Sequence, residues 1–155
     1  MTTPVIYGTV SDVAALARVW TDNGSFVDPT VYVTGTNPTL SQVDTWLEQV
    51  SAQVDLALAN HQFIVPIDGT LTEVVNAISS VVIPLVADLC HAANSSGRFF
   101  TERAIERGTA PFKVVTNEIN SWVETNQDGL AAMGLTQRES SSIKKQVYMR
   151  VIGKH

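Results

Sequence analysis

The chain has 155 residues, 45% of them apolar and 16% charged, with a net charge of −5. Such totals fit one globular domain with a core of its own and exclude a disordered polymer. No run of about 18 apolar residues occurs, so no membrane span is expected. The opening Met1-Thr2-Thr3-Pro4 has neither the basic nor the apolar region of a secretory signal. A single cysteine, Cys90, cannot staple a fold, and a reducing compartment is its simplest setting.

Charge is unevenly spread. Residues 1–97 hold nine acidic groups and one basic group, Arg18, a net −8. Residues 98–155 hold nine basic and six acidic groups, a net +3, and 138–155 alone reach a net +4. The acidic part is ill suited to gripping phosphate, because affinity for DNA rests on neutralising phosphates with Lys and Arg. The basic end suits nucleic acid or an acidic protein surface, and composition leaves both open.

Along the chain, Thr9 and Asp12 form a capping box, a hydroxyl followed three residues later by a carboxylate. The box opens a short helix to about Arg18, with Val10, Val13, Leu16 and Ala17 as its apolar side. Residues 21–38 are rich in turn formers (Asp22-Asn23-Gly24, Asp28-Pro29, Asn37-Pro38) and predict an ordered loop. Within it Val31-Tyr32-Val33-Thr34 has strand propensity, which also admits a small hairpin. A connection of this length often carries function.

Thr39 and Gln42 form a second capping box, at the head of the clearest helix. Leu40, Val43, Leu47, Val50, Val54 and Leu58 recur in steps of three and four, marking one buried face, and the helix should end near Asn60. Trp46 widens the stripe, and Asp44, Glu48, Gln49 and Gln53 lie off it. Thr70 and Glu73 suggest a third box, opening a helix from Leu71 to about Ala93. That helix is apolar nearly all round, so it must be covered on several sides, by its own chain or by a neighbouring subunit. Pro84 interrupts its hydrogen bonding.

A short charged helix is expected from about Arg98 to Arg107. Pro111 then leads a helix to about Gln127, with Val115, Ile119, Trp122 and Val123 on one side. The elements predict an all-α protein: a small bundle of four to five helices over residues 1–128. Residues 129–155 read as a flexible connector followed by an extended, strand-like C-terminal tail. In that tail Val147, Met149 and Val151 alternate with Tyr148, Arg150 and Ile152, and Lys144 and Lys145 precede them.

Chemistry is hard to find. His61, His91, His155 and Cys90 make no zinc spacing, and no phosphate loop of the GxGxxG or GxxxxGK[ST] kind occurs. Cys90 and His91 are neighbours on a helix, where successive side chains point about 100° apart, so a nucleophile–base pair is disfavoured against a buried thiol beside a half-exposed imidazole. Trp46 and Trp122 lie on apolar stripes and read as core anchors rather than as parts of a binding box. The pairs Asp44/Glu48 and Glu102/Glu106 fit solvated helix faces. No catalytic, cofactor-binding or metal-binding residue is assigned, and no enzyme is expected. The tail fares differently: Val147–Ile152 is too apolar to dissolve simply, and adding a strand to another chain's sheet edge would use both its faces.

The order of parts resembles a known family. A short Asp12-Val13-Ala14-Ala15-Leu16 helix is followed by a loop ending Gly35-Thr36-Asn37-Pro38-Thr39-Leu40. A helix with Gln42-Val43 and Trp46-Leu47 then runs into Val54-Asp55 and Ala57-Leu58, and a Val65-Pro66-Ile67 elbow leads to a long apolar helix. Over roughly residues 7–105 this resembles the head–tail connector, or adaptor, proteins of long-tailed bacteriophages. The segment from Pro111 onward departs from that pattern.

The resemblance implies a virion protein of the neck, made in the host cytoplasm. Twelve copies would form a ring that bridges the portal protein to the next neck or tail protein and surrounds the DNA channel. It implies no specific DNA binding, no cofactor and no membrane. The portal-docking residues would then be Lys144, Lys145, Val147, Tyr148, Met149, Arg150, Val151 and Ile152. An acidic body suits a channel through which DNA must slide. The alternatives are another neck or tail-completion protein, and a small helical DNA-binding module using its basic tail. Salt-titrated DNA binding separates the latter, since phosphate contacts give a steep salt slope.

Overall fold

A computed structural model describes residues 3–94 and 111–138. Among these, four α-helices carry the architecture: α1 (Val10–Leu16), α2 (Leu40–Asn60), α3 (Thr72–Asn94) and α4 (Pro111–Ala132), with a 3₁₀ turn at Arg18–Trp20. No β-strand occurs among the described residues, only isolated bridges. The protein is all-α. The expected helix at 98–107 and the expected strand at 147–152 fall outside the described residues.

Local signals placed the first two helices. The Thr9 side chain accepts from the Asp12 amide at 3.2 Å, and the Asp12 carboxylate accepts from the Thr9 amide at 3.1 Å. Thr39 and Gln42 make the same reciprocal pair at the head of α2, at 3.2 and 3.0 Å. Each box satisfies amides that the helix itself leaves unpaired. The third box does not form. The Thr70 hydroxyl lies 2.7 Å from the Asp68 carboxylate, and α3 begins only at Thr72. Asp68 and Thr70 instead form a local turn of their own ahead of the helix.

Helix α2 is central and packs against α1, α3 and α4. Val43, Leu47, Val50, Val54 and Leu58 are buried as the periodicity predicts, in one core with Val74, Ile78 and Val82 of α3 and Val115, Ile119 and Val123 of α4. Leu40, expected on that face, is exposed at the first turn. On α1, Val13 and Ala17 are buried as predicted, but Ala14 is buried in place of Leu16, which stands 55% exposed. The small Ala14, with Ala17 at the C-cap, allows a closer approach to α3 than leucine would.

Helix α3 is long and apolar enough in composition to cross a membrane, although it contains no unbroken run of about 18 apolar residues. One side of it is covered by this bundle: Val74, Ile78, Val82, Leu85, Val86, Leu89 and Cys90 are all buried by the chain itself. Val75, Val81 and Ile83 are only partly buried.

The largest difference from expectation lies after Gln127. α4 continues to Ala132, and the connector expected from residue 129 folds back on the bundle. Leu130 and Leu135 are buried. Gly134, at φ +104, turns the chain off the helix, and the Leu135 amide donates to the Leu130 carbonyl at 3.1 Å. Only glycine adopts that backbone without strain, so it closes the helix C-terminus. Glycine at 129, which suggested the stop, sits instead on the exposed side of the helix.

Candidate interaction surface

Two surfaces stand apart from the core, and the first is the loop from Thr21 to Pro38. Asn23 (φ 50) and Gly24 (φ +87) turn the chain so that Asp22 and Ser25 exchange both backbone hydrogen bonds, at 2.9 and 3.1 Å. Asn-Gly pairs favour this two-residue turn because both positions need positive φ. Phe26 then buries its ring in the core. The Val27 amide donates to the Thr36 hydroxyl at 2.8 Å, and the Thr36 amide donates back to the Val27 carbonyl at 2.9 Å, closing the base of the loop.

Asp28 ties this base to α2. Its carboxylate accepts from the Ser41 amide at 2.8 Å and the Ser41 hydroxyl at 2.7 Å. Those two bonds, the amide's first, hold its carboxyl below the usual carboxylate range. At the far end the Asn94 side chain of α3 donates to the Asn37 carbonyl at 2.5 Å. Beyond the base, the Thr30 amide donates to the Val33 carbonyl at 2.8 Å, and the Thr30 hydroxyl accepts from the Val33 amide at 3.0 Å.

That construction projects Val31 at 93% exposure and Tyr32 at 96%. Scattered apolar residues on a surface need no explanation. Adjacent valine and tyrosine, held outward by a hydrogen-bonded turn, form a preorganised apolar knob that pays little ordering entropy on contact. The segment read for strand propensity forms no strand. It lacks a partner beyond the turn, and its polar flanks Thr30 and Thr34 are exposed as well.

The second surface lies at the opposite end of the sequence. The Ile64 amide donates to the Thr136 carbonyl at 2.9 Å and the Arg138 amide to the Gln62 carbonyl at 2.6 Å, pairing Phe63 with Gln137 antiparallel. Beside this short ribbon is an open groove of about 510 Å³, whose walls include Val5, Ile64, Ile67, Leu71 and Leu135. Asp68 is its charged lining residue. The Thr70 hydroxyl and amide keep that carboxyl below its usual range. Sequence reasoning missed this groove because it treated residues 129–143 as a connector.

The tail residues assigned to docking (Lys144, Lys145, Val147, Tyr148, Met149, Arg150, Val151, Ile152) lie outside the described residues. Cys90 is fully buried, and burial pushes its thiol up to about 12, so it is a protonated apolar filler at neutral pH. His91 points elsewhere: it is exposed, and its Nδ1 accepts from the Trp20 indole N–H at 2.7 Å. Trp20, Trp46 and Trp122 are all half-buried and packed on the edge of the core. Tyr7 is buried with its hydroxyl donating to Asp55 at 2.7 Å and its amide to the Ser51 hydroxyl at 3.0 Å, which pins the N-terminal segment to α2.

The chain matches no family model, no curated protein and no solved structure. A hydrogen-bonded loop that presents Val31 and Tyr32, a groove beside an isolated bridge, and an acidic N-terminal part are the features of a contact surface.

Proposed function

We propose that this protein is a structural assembly component, a head–tail connector or adaptor of a tailed bacteriophage. Copies form a ring that joins the portal to the next neck or tail protein and leaves a channel for DNA. The observation that carries the reading is the Val31–Tyr32 knob, two large apolar side chains more than nine-tenths exposed on a loop tied to α2 and α3. Large apolar side chains held outward in this way suit burial in an assembly. The net −8 of residues 1–97 supports a channel wall from which DNA is repelled. In this reading Lys144, Lys145 and the alternating segment 147–152 dock on the portal by strand addition.

The test is electron microscopy of the purified protein mixed with a candidate portal. A ring stacked coaxially on the portal is the expected image. Stacking only on a preassembled portal–adaptor complex would move the protein one position along the neck. Tight, steeply salt-dependent binding to bare DNA would replace the reading with a DNA-binding module.

A further inference from the structure

The described chain leaves at Arg138, on the open side of an isolated antiparallel bridge beside a groove. In the pairing of 62–64 with 136–138, the two bonds use the Thr136 carbonyl and the Arg138 amide. The amide and carbonyl of Gln137 therefore point away from the pair. Neither has a hydrogen-bond partner among the described residues, and Gln137 is exposed. An edge of this kind accepts a further strand. The groove next to it holds about 510 Å³ between walls that mix apolar side chains such as Ile64, Leu71 and Leu135 with the polar Thr3, Asp68 and Thr136.

We propose that this edge and groove receive the chain's own C-terminal segment, Lys144–Ile152, folded back as an added strand. Length, pattern and charge single out this occupant. The five residues 139–143 separate Arg138 from Lys144, an ordinary length for a hairpin loop. A strand returning from that turn runs antiparallel to 136–138 and presents Val147, Met149 and Val151 on one side. These three span about 13 Å at the usual rise, enough to continue past Thr136 across the groove. Lys145 shares the side of Val147, Met149 and Val151 and brings positive charge to a groove whose charged wall is Asp68, while Lys144 and Arg150 fall on the opposite side.

Tethering favours this occupant over a free one, because a short linker gives an effective concentration in the millimolar range. The inference needs no ring and no portal. If the adaptor reading also holds, the tail is sheltered in the free protein and handed over when the portal displaces it.

Hydrogen exchange on the full chain tests the proposal. Amides from Gln146 to Ile152 should exchange at least about tenfold more slowly than in a synthetic peptide of residues 144–155, a protection factor set by local opening. Dilution of the protein should leave that protection unchanged. Ile64→Lys alters a groove side chain that is 43% exposed, and it should return the tail to the peptide rate while α2 and α3 stay protected. Gln137→Pro removes the open-edge donor without touching the groove and should do the same. Peptide-like exchange in the unaltered chain overturns the proposal. So does protection that disappears on dilution, which would give the groove to a second copy, and so does full tail protection in Gln137→Pro.

Discussion

The loop at 21–38 and the segment at 129–138 both contain glycine and apolar residues, the first expected as an ordered loop and the second as part of a flexible connector. The structure treats them oppositely. The first holds its backbone with hydrogen bonds accepted by the Asp28, Thr30 and Thr36 side chains and turns Val31 and Tyr32 outward. The second has its backbone bonds to Gln62 and Ile64, and buries Leu130 and Leu135. What separates them is access to the core. The 129–138 segment passes the gap between the elbow at 64–69 and the end of α4, where a leucine fills space, whereas the tip of the first loop has nothing above it.

The comparison predicts unequal costs for similar truncations. Leu135→Ala should lower stability by about 2–5 kcal/mol, the range for emptying a buried leucine site. Leu47→Ala on the central face of α2 should cost a similar amount. Urea denaturation measures both, and a loss below about 0.5 kcal/mol for Leu135→Ala would erase the distinction between the two segments.

Between these extremes stands the N-terminal segment, held by burial and by bonding at once. Asp55→Ala leaves the buried Tyr7 hydroxyl without its acceptor and should cost about 1–3 kcal/mol. Asp55→Asn keeps an acceptor and removes a charge that burial disfavours. Burial raises the Asp55 pKa above its ordinary 3.8, against the smaller opposing effect of the Tyr7 hydrogen bond. For an acid raised on folding, the stabilising contribution is present below the unfolded value and is lost as pH rises through the folded one. Melts over pH 3–7 should therefore show the unaltered chain losing ground against Asp55→Asn as pH rises, and then levelling. A gain in the other direction would mean that Asp55 is stabilised in its ionised form.

Asp28 has the opposite sign. Its bonds to Ser41 lower its pKa below 3.8, so its contribution is present above that pH and is lost as pH falls through the folded value. Asp28→Ala should free the Ser41 amide and speed its hydrogen exchange while the core amides stay unchanged. Equal acceleration across α2 would show that the loop supports the helix rather than hanging from it.

Tyr32→Ala should have the smallest effect on folding, within about 0.5 kcal/mol, as surface changes usually do. Under the adaptor reading it should nonetheless weaken ring formation or stacking, read by sedimentation of the protein with a portal. Undiminished assembly would leave the knob without a purpose and return the search to the groove.

Local features were legible in the sequence alone. The capping boxes at Thr9/Asp12 and Thr39/Gln42, the stripe from Val43 to Leu58 and the burial of Cys90 depend on residues within a few positions of one another, or on apolarity at helical spacing. Such interactions are set by helix geometry before any tertiary contact forms. Two things were decided only by the tertiary structure. Helix α1 turned Ala14 inward and left Leu16 out, on the side that packs against α3. Helix α4 ran through Gly129 to Ala132, and Leu130 and Leu135 were buried against the bundle. The knob and the groove belong to the same class: whether a valine, tyrosine or leucine in a loop is buried depends on remote chain reaching over it. One stretch of sequence carries no record of that.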